Sequence, residues 1–204
     1  LICMTLKVKD YMAKSSHIKR INALDSYFTN RPETEISSEI DFRLIKDTKI
    51  TQIAIWPETT SEFQNYINTQ KTTGDFLHPG TVCQIENARF VRVEPLKWWL
   101  LNDKNDVFQS MSEDIAMRLD LSHSFVQLKI SGKNARAILS HHIPVDMRDA
   151  PFPINKLVTT SLHHVGIKLW RAQNCWYIFM PRSFSESLWQ LICKTAERYG
   201  YAPK

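Results

Sequence analysis

Apolar and polar positions alternate in some stretches of this chain, recur every three or four residues in others, and run unbroken in a few. Thr48–Trp56 is rich in β-branched residues and stops at Pro57, which predicts a strand. Thr59-Thr-Ser-Glu62 then has the form of a capping box, with the Thr59 hydroxyl accepting from the third helical amide and Glu62 reaching back. Phe63, Tyr66 and Ile67 follow at helical spacing. After the turn residues Gly74, Pro79 and Gly80, strands are expected near 82–86, 89–94 and 97–102, and a short helix over Lys104–Met111.

The second half has the same rhythm. Phe125–Ile130 alternates, with Val126, Leu128 and Ile130 on one face and Gln127 and Lys129 on the other. Ser131-Gly132 opens a short helix carrying Ala135, Ile138 and Leu139, and a loop punctuated by Pro144, Pro151 and Pro153 follows. Strands are expected near 157–163, 165–171 and 175–180. The last of these, Cys-Trp-Tyr-Ile-Phe-Met, is apolar on both faces and therefore central. Ser183-Phe-Ser-Glu186 is a second capping box, starting a helix with Phe184, Leu188, Leu191, Ile192 and Thr195 on one stripe, ended by Gly200 and Pro203.

Laid side by side, the halves match at an offset of about 75 residues. Ile53 answers Leu128, Val82 answers Val158, and Trp98-Trp99 answers Trp176-Tyr177. Each half reads strand, helix, three strands, helix. The expected fold is α+β: two pseudo-symmetric lobes, each an antiparallel or mixed sheet with helices on one face. The expected division is a basic, irregular arm at 1–40, lobe one at about 41–113, lobe two at about 114–199, and a tail at 200–204.

Composition narrows the class. Apolar residues at 43% and charged ones at 23% are ordinary globular values across 204 residues, which excludes wholesale disorder. No run approaches the roughly 18 apolar residues of a membrane span, and no secretory signal opens the sequence. Four scattered cysteines, Cys3, Cys83, Cys175 and Cys193, with no C-x-x-C pair, suit a reducing, cytoplasmic setting. Of the net +5, the first twenty residues supply four charges (Lys7, Lys9, Lys14, Lys19 and Arg20 against Asp10). A neutral globule with a basic arm points away from a nucleic-acid partner, whose binders carry charge on a folded face.

Catalytic signatures are missing from the sequence. The histidine pairs His141-His142 and His163-His164 are adjacent, and neighbours on a strand point to opposite faces, so neither pair ligates one ion as an i, i+4 helical pair does. There is no G-x-S-x-G elbow, and five glycines are few for a dinucleotide-binding loop. Two polar clusters remain. Asp120-Leu-Ser-His-Ser124 is either a binding corner or a turn in which Asp120 and Ser122 bond nearby amides. In Pro181-Arg-Ser-Phe184, Arg182 sits at a strand–helix junction, where the helix dipole disfavours a cation; it is either held by a specific carboxylate partner or an ordinary solvated Arg. Trp170 shares a strand face with Lys168, a mixture that suits burial by another chain.

At these residues the sequence resembles a known family. Asp120–Gly132 with Ala135-Arg136 and Leu139, Pro144-Val-Asp146 followed by Phe152-Pro153, Thr160, and Pro181-Arg-Ser-Phe184 with Leu188-Trp189 are similar to the sarcosine oxidase gamma subunit family, as is Val93–Leu101 in the first half. The likeness is strong over about 115–195, weaker over 42–110 and absent before 40. Ile143 stands where the family commonly has Cys, and Phe125 where Arg is frequent. The resemblance implies a fold similar to the folate-binding aminomethyltransferase-like domain. It implies a non-catalytic gamma subunit of a heterotetrameric flavoenzyme that demethylates sarcosine or N-methylglutamate. It places FAD, FMN, NAD, zinc and tetrahydrofolate in the partner alpha, beta and delta subunits, with docking chiefly on alpha. Trp170, Arg182, Ser183, Phe184 and Trp189 are the expected interface residues, and Asp120, Ser122, Arg136 and Asp146 the family's structural motif. The alternative is a free-standing folate-binding protein with Asp120 or Asp146 bonding the pterin's amino edge.

Overall fold

A computed structural model of the protein describes residues 21–29, 39–70 and 72–202. The basic segment 1–20, Cys3 and the Arg31-Pro32 linker lie outside the described residues. In chain order the elements are α1 (Asp25–Phe28), β1 (Asp41–Ile45), β2 (Ile50–Ile55), α2 (Thr60–Thr69), β3 (Thr72–Thr73), β4 (Val82–Ile85), β5 (Ala88–Glu94), β6 (Lys97–Leu101) and β7 (Ala116–Asp120). Then come β8 (Phe125–Ser131), α3 (Ala135–Ser140), β9 (Lys156–Leu162), β10 (Val165–Arg171), β11 (Cys175–Pro181) and α4 (Ser185–Ala196).

The strands form two wholly antiparallel sheets, ordered β3-β4-β5-β6-β2-β7 and β1-β8-β11-β10-β9. Helix α2 buries Phe63 and Ile67 on the outer face of the first sheet, against Ile53, Phe90, Trp98 and Leu100. Helices α3 and α4 cover the outer face of the second, where Ile138, Leu139, Leu188 and Ile192 meet Leu128, Ile130 and Ile178. The two inner faces close on each other through Ile50, Val91, Trp99, Leu101, Leu157, Trp170 and Phe179. Each large side chain buried there contributes about 1.5–3 kcal/mol. The result is an α+β protein of four layers, with helices outside and the sheets back to back.

The repeat is visible in the hydrogen bonding. Leu157 N–H donates to the Gly80 carbonyl at 2.7 Å, and Val82 N–H donates to the Asn155 carbonyl at 2.8 Å. Thr81 and Lys156 form the antiparallel bridge between them. The pseudo-twofold axis therefore passes through this contact. Gly80 and its counterpart Asn155 both have positive φ, 76° and 62°, and a Cβ on Gly80 would lie 2.1 Å from the Leu157 oxygen. Arg92 lies 5.3 Å from the Trp98 ring centre and donates to the Leu77 carbonyl. Arg171 lies 5.5 Å from the Trp176 ring and donates to the Phe152 carbonyl.

Strand pairing makes Trp98-Trp99 equivalent to Trp176-Tyr177, as expected, but sets Ile53 against Ile130 and Val82 against Leu157. The offset drifts with loop length, so a fixed shift misplaces two of the three pairs. The halves also exchange edge strands. β1 pairs with β8 in the second sheet and β7 with β2 in the first, so a cut at 113/114 assigns each to the wrong sheet.

Four local expectations change. Residues 104–111 turn instead of forming a helix, because the buried Asp103 carboxylate accepts from the Asn105 and Val107 amides and Asn102 and Asp106 take positive φ. The first half therefore has no closing helix. Thr59 does not cap α2; its hydroxyl donates to the Trp56 and Ile115 carbonyls. Ser183 lies inside a 3-10 turn, and α4 starts at Ser185, whose hydroxyl donates to the Arg182 carbonyl. Finally, residues 21–29 of the supposed arm are packed: Leu24 is fully buried, and Tyr27 and Phe28 lie against Trp189.

Candidate functional site

The mixed Trp–Lys face of β10 is covered by the chain itself. Trp170 and Lys168 point into the seam between the sheets and are buried there. Lys168 Nζ sits 4.8 Å from the Trp99 ring centre, and among the described residues its ion-pair partner is Glu94, at 4.0 Å. Burial pushes this lysine below its ordinary value. Trp170 stacks on Tyr177, with Arg89 over its face. The expectation of burial by a second chain is corrected at Trp170: a sheet has two faces, and the other sheet takes this one.

The C-terminal signature separates into inside and outside. Trp189 is buried among Tyr27, Phe28, Phe42 and Tyr201, so it too serves the interior. Arg182, Ser183 and Phe184 are exposed. Among the described residues Arg182 meets no carboxylate; its guanidinium donates to the Ile21 carbonyl at 2.7 Å and its amide to the Ser124 carbonyl at 2.9 Å. The guanidinium thus has a carbonyl acceptor and solvent in place of an acid. It borders a cavity of about 440 Å³ together with Lys46, Asp47, Ser122 and His123.

Asp120 and Ser122 form the turn, not an open corner. The Asp120 carboxylate accepts from both the amide and the hydroxyl of Ser122, and Ser122 Oγ receives the Ile50 amide at 3.0 Å. Arg136 pairs with Asp149, which also holds Arg171. The Arg148 side chain and amide beside Asp146 hold its carboxyl down to about 2. The nine singled-out residues thus form no single cluster; only Arg182 and Ser122 line one cavity.

Histidines from two loops line another cavity of about 430 Å³. His163 and His164 form the β9–β10 turn, both at positive φ, while His142 Nε2 meets Thr195 Oγ1 at 2.6 Å and His141 Nε2 meets Tyr199 Oη at 2.9 Å. Among the described residues no His, Cys, Asp or Glu group has the geometry of a metal site. Burial lifts the Cys83 thiol to about 11, which suppresses the thiolate a nucleophile needs.

Sequence reasoning missed the margin of the first sheet. On β7, Met117 and Leu119 are about half exposed, and Trp56 is exposed one residue past β2. The signal was the alternation Ala-Met-Arg-Leu-Asp at 116–120, too short to register as a strand.

These features define a two-sheet α+β protein with internal pseudo-twofold symmetry, and solved structures of that architecture exist. A chain of heterotetrameric sarcosine oxidase from Corynebacterium sp. U-96 superposes over 90% of this chain and 97% of its own length, with a TM-score of 0.76 at 19% identity. The glycine cleavage system aminomethyltransferase T from Bartonella henselae matches over 83% of this chain and 48% of its own, with a TM-score of 0.54 at 12% identity. The curated proteins it resembles in sequence are sarcosine oxidase gamma subunits: 30% identity over 82 residues to that of Corynebacterium sp. strain P-1, and 33% over 67 residues to that of Arthrobacter sp.. The aligned stretch spans 40% of this chain and 40% of the first relative. No family model matches the chain.

Proposed function

We propose that this chain is a gamma-type subunit of a heterotetrameric sarcosine oxidase-like flavoenzyme, acting by assembly and not by chemistry of its own. In this reading the alpha, beta and delta subunits hold FAD, FMN, NAD, zinc and tetrahydrofolate and demethylate an N-methyl amino acid, sarcosine or N-methylglutamate. This chain docks chiefly on the large alpha subunit, in the cytoplasm. The observation that carries the reading is the fold match along 97% of one chain of a heterotetrameric sarcosine oxidase. The segments similar to curated gamma subunits support it.

The folate-binding alternative finds little support in the residues assigned to it. Asp120 already accepts from Ser122 and Asp146 from Arg148, and the two carboxylates line no common cavity among those described. The test is isolation of the tagged chain from its own host with a visible spectrum. A yellow assembly containing sarcosine oxidase-like partner subunits is expected. A colourless chain emerging alone, with saturable tetrahydrofolate binding, would overturn the proposal.

A further inference from the structure

We propose that the β7 margin of the first sheet, centred on Met117 and Leu119, is the surface through which this chain docks on a partner subunit, and that the partner presents an apolar face there. The inference rests on the subunit reading above. Among the described residues six large apolar side chains are exposed, and three of them, Met117, Leu119 and Trp56, share one face of this margin. Met117 and Leu119 lie on β7, and Trp56 follows β2 on the same face, in line with Gln52 and Ala54, the partners of Leu119 and Met117. Ile21 and Phe184 flank Arg182, whose amide bonds Ser124 just past β7.

The face continues the buried seam. Leu119, Gln52, Trp99 and Val91 form one row across the sheet. Its inner end is covered by the second sheet, while at its outer end Leu119 is 54% exposed. The internal repeat supplies the control. Gln52 and Ala54 correspond to Lys129 and Ser131, whose β1 partners are Arg43 and Asp41. Where the second sheet ends in an Arg43–Asp41 ion pair at 3.0 Å, the first therefore ends in Leu119 and Met117. One margin closes on a charged pair and the other on exposed apolar side chains.

Size points the same way. Met117, Leu119 and Trp56, each about half exposed, present roughly 300 Å² of apolar surface, the size of the largest patch on a typical monomer, which is often functional. That is more than half of the apolar share of one partner's side in a standard interface, where each side buries about 800 Å² in all. The strand edge adds direction. Leu121 N–H donates to the Ile50 carbonyl, so Leu119 and Met117 bond β2 while the Arg118 amide and carbonyl point outward, at the end of the sheet. A partner strand can therefore add to the edge while its side chains cover the margin.

The test expresses the full chain in its own host in place of the native copy. Three forms are compared: wild type, the Met117→Lys/Leu119→Lys pair, and the control Ile154→Lys, which alters the sixth exposed apolar residue. Native mass spectrometry, with subunits identified by peptide sequencing, reads assembly, and hydrogen exchange reads the Arg118 amide. Wild type and control are expected in the heteromer, with the double variant's affinity at least tenfold weaker. Arg118 exchange in wild type should slow at least tenfold on assembly, a readout independent of how the variant folds. Equal assembly of all three with unchanged Arg118 exchange overturns this docking surface and leaves the subunit reading standing. A wild-type chain without partners overturns both. A homodimer abolished by the double variant assigns the margin to a second copy and overturns the proposal as stated.

Discussion

Lys168 and Trp99 meet across the seam between the sheets, the ammonium 4.8 Å from the ring centre. The contact joins the second half of the chain to the first at a place that is otherwise apolar. Removing a lysine from water is costly, and Glu94, already bonded to Lys97 at 2.7 Å, repays it only in part. Lys168→Met should therefore fold with stability within about 1 kcal/mol of wild type or above it. Because burial lowers the lysine's pKa, the unfolded chain binds the proton more tightly. Wild-type stability should then climb relative to Lys168→Met as pH rises through the folded value towards the ordinary 10.5. Urea midpoints between pH 8 and 10.5 check the sign, and a wild type that weakens there relative to the variant contradicts it.

At the pseudo-twofold contact, backbone against backbone leaves no room for a side chain. Gly80→Ala places a Cβ 2.1 Å from the Leu157 oxygen at a φ of +76°. It should cost upwards of about 3 kcal/mol. Gly166→Ala meets nothing within 4 Å and has no such φ, so it should leave stability unchanged or raised by a few tenths of a kcal/mol. Chemical denaturation of the two variants side by side decides this.

Arg92 and Arg171 perform one task twice, each over a tryptophan and each holding the carbonyl of the loop before β4 or β9. Arg92→Met and Arg171→Met should each cost about 1–2 kcal/mol. Being separate sites, they should add within about 0.5 kcal/mol in the double variant. Strong non-additivity would mean that the halves do not stabilise independently.

His142 is held below the ordinary histidine value, first by burial and then by the charges of His141 and His163. A group neutral in the fold and protonated when unfolded removes stability as pH falls below 6.5. Melting temperature should drop between pH 7 and 5, and His142→Gln should flatten that drop. An identical slope in the variant would assign the acid sensitivity elsewhere.

Much of this architecture is legible in short-range pattern. Both central strands, the tryptophan equivalence and α4 follow from alternation and helical spacing, because their apolar positions each serve one buried face. What escaped depends on partners distant in sequence. β1 and β7 are five residues long, and each is completed by the other half of the chain, which no local window contains. Trp170 carried the right composition for an interface and the wrong location, since a side chain does not record whether its cover comes from the same chain. The Asp103 turn likewise overrode a helical pattern through two side-chain bonds that spacing alone does not reveal.

The central claim is membership of a heteromeric oxidase, and the mass of the particle containing this chain at native levels tests it most directly. A flavin-coloured heteromer holding this chain beside different subunits is expected. A chain of 23.8 kDa migrating alone, or only with itself, would contradict it.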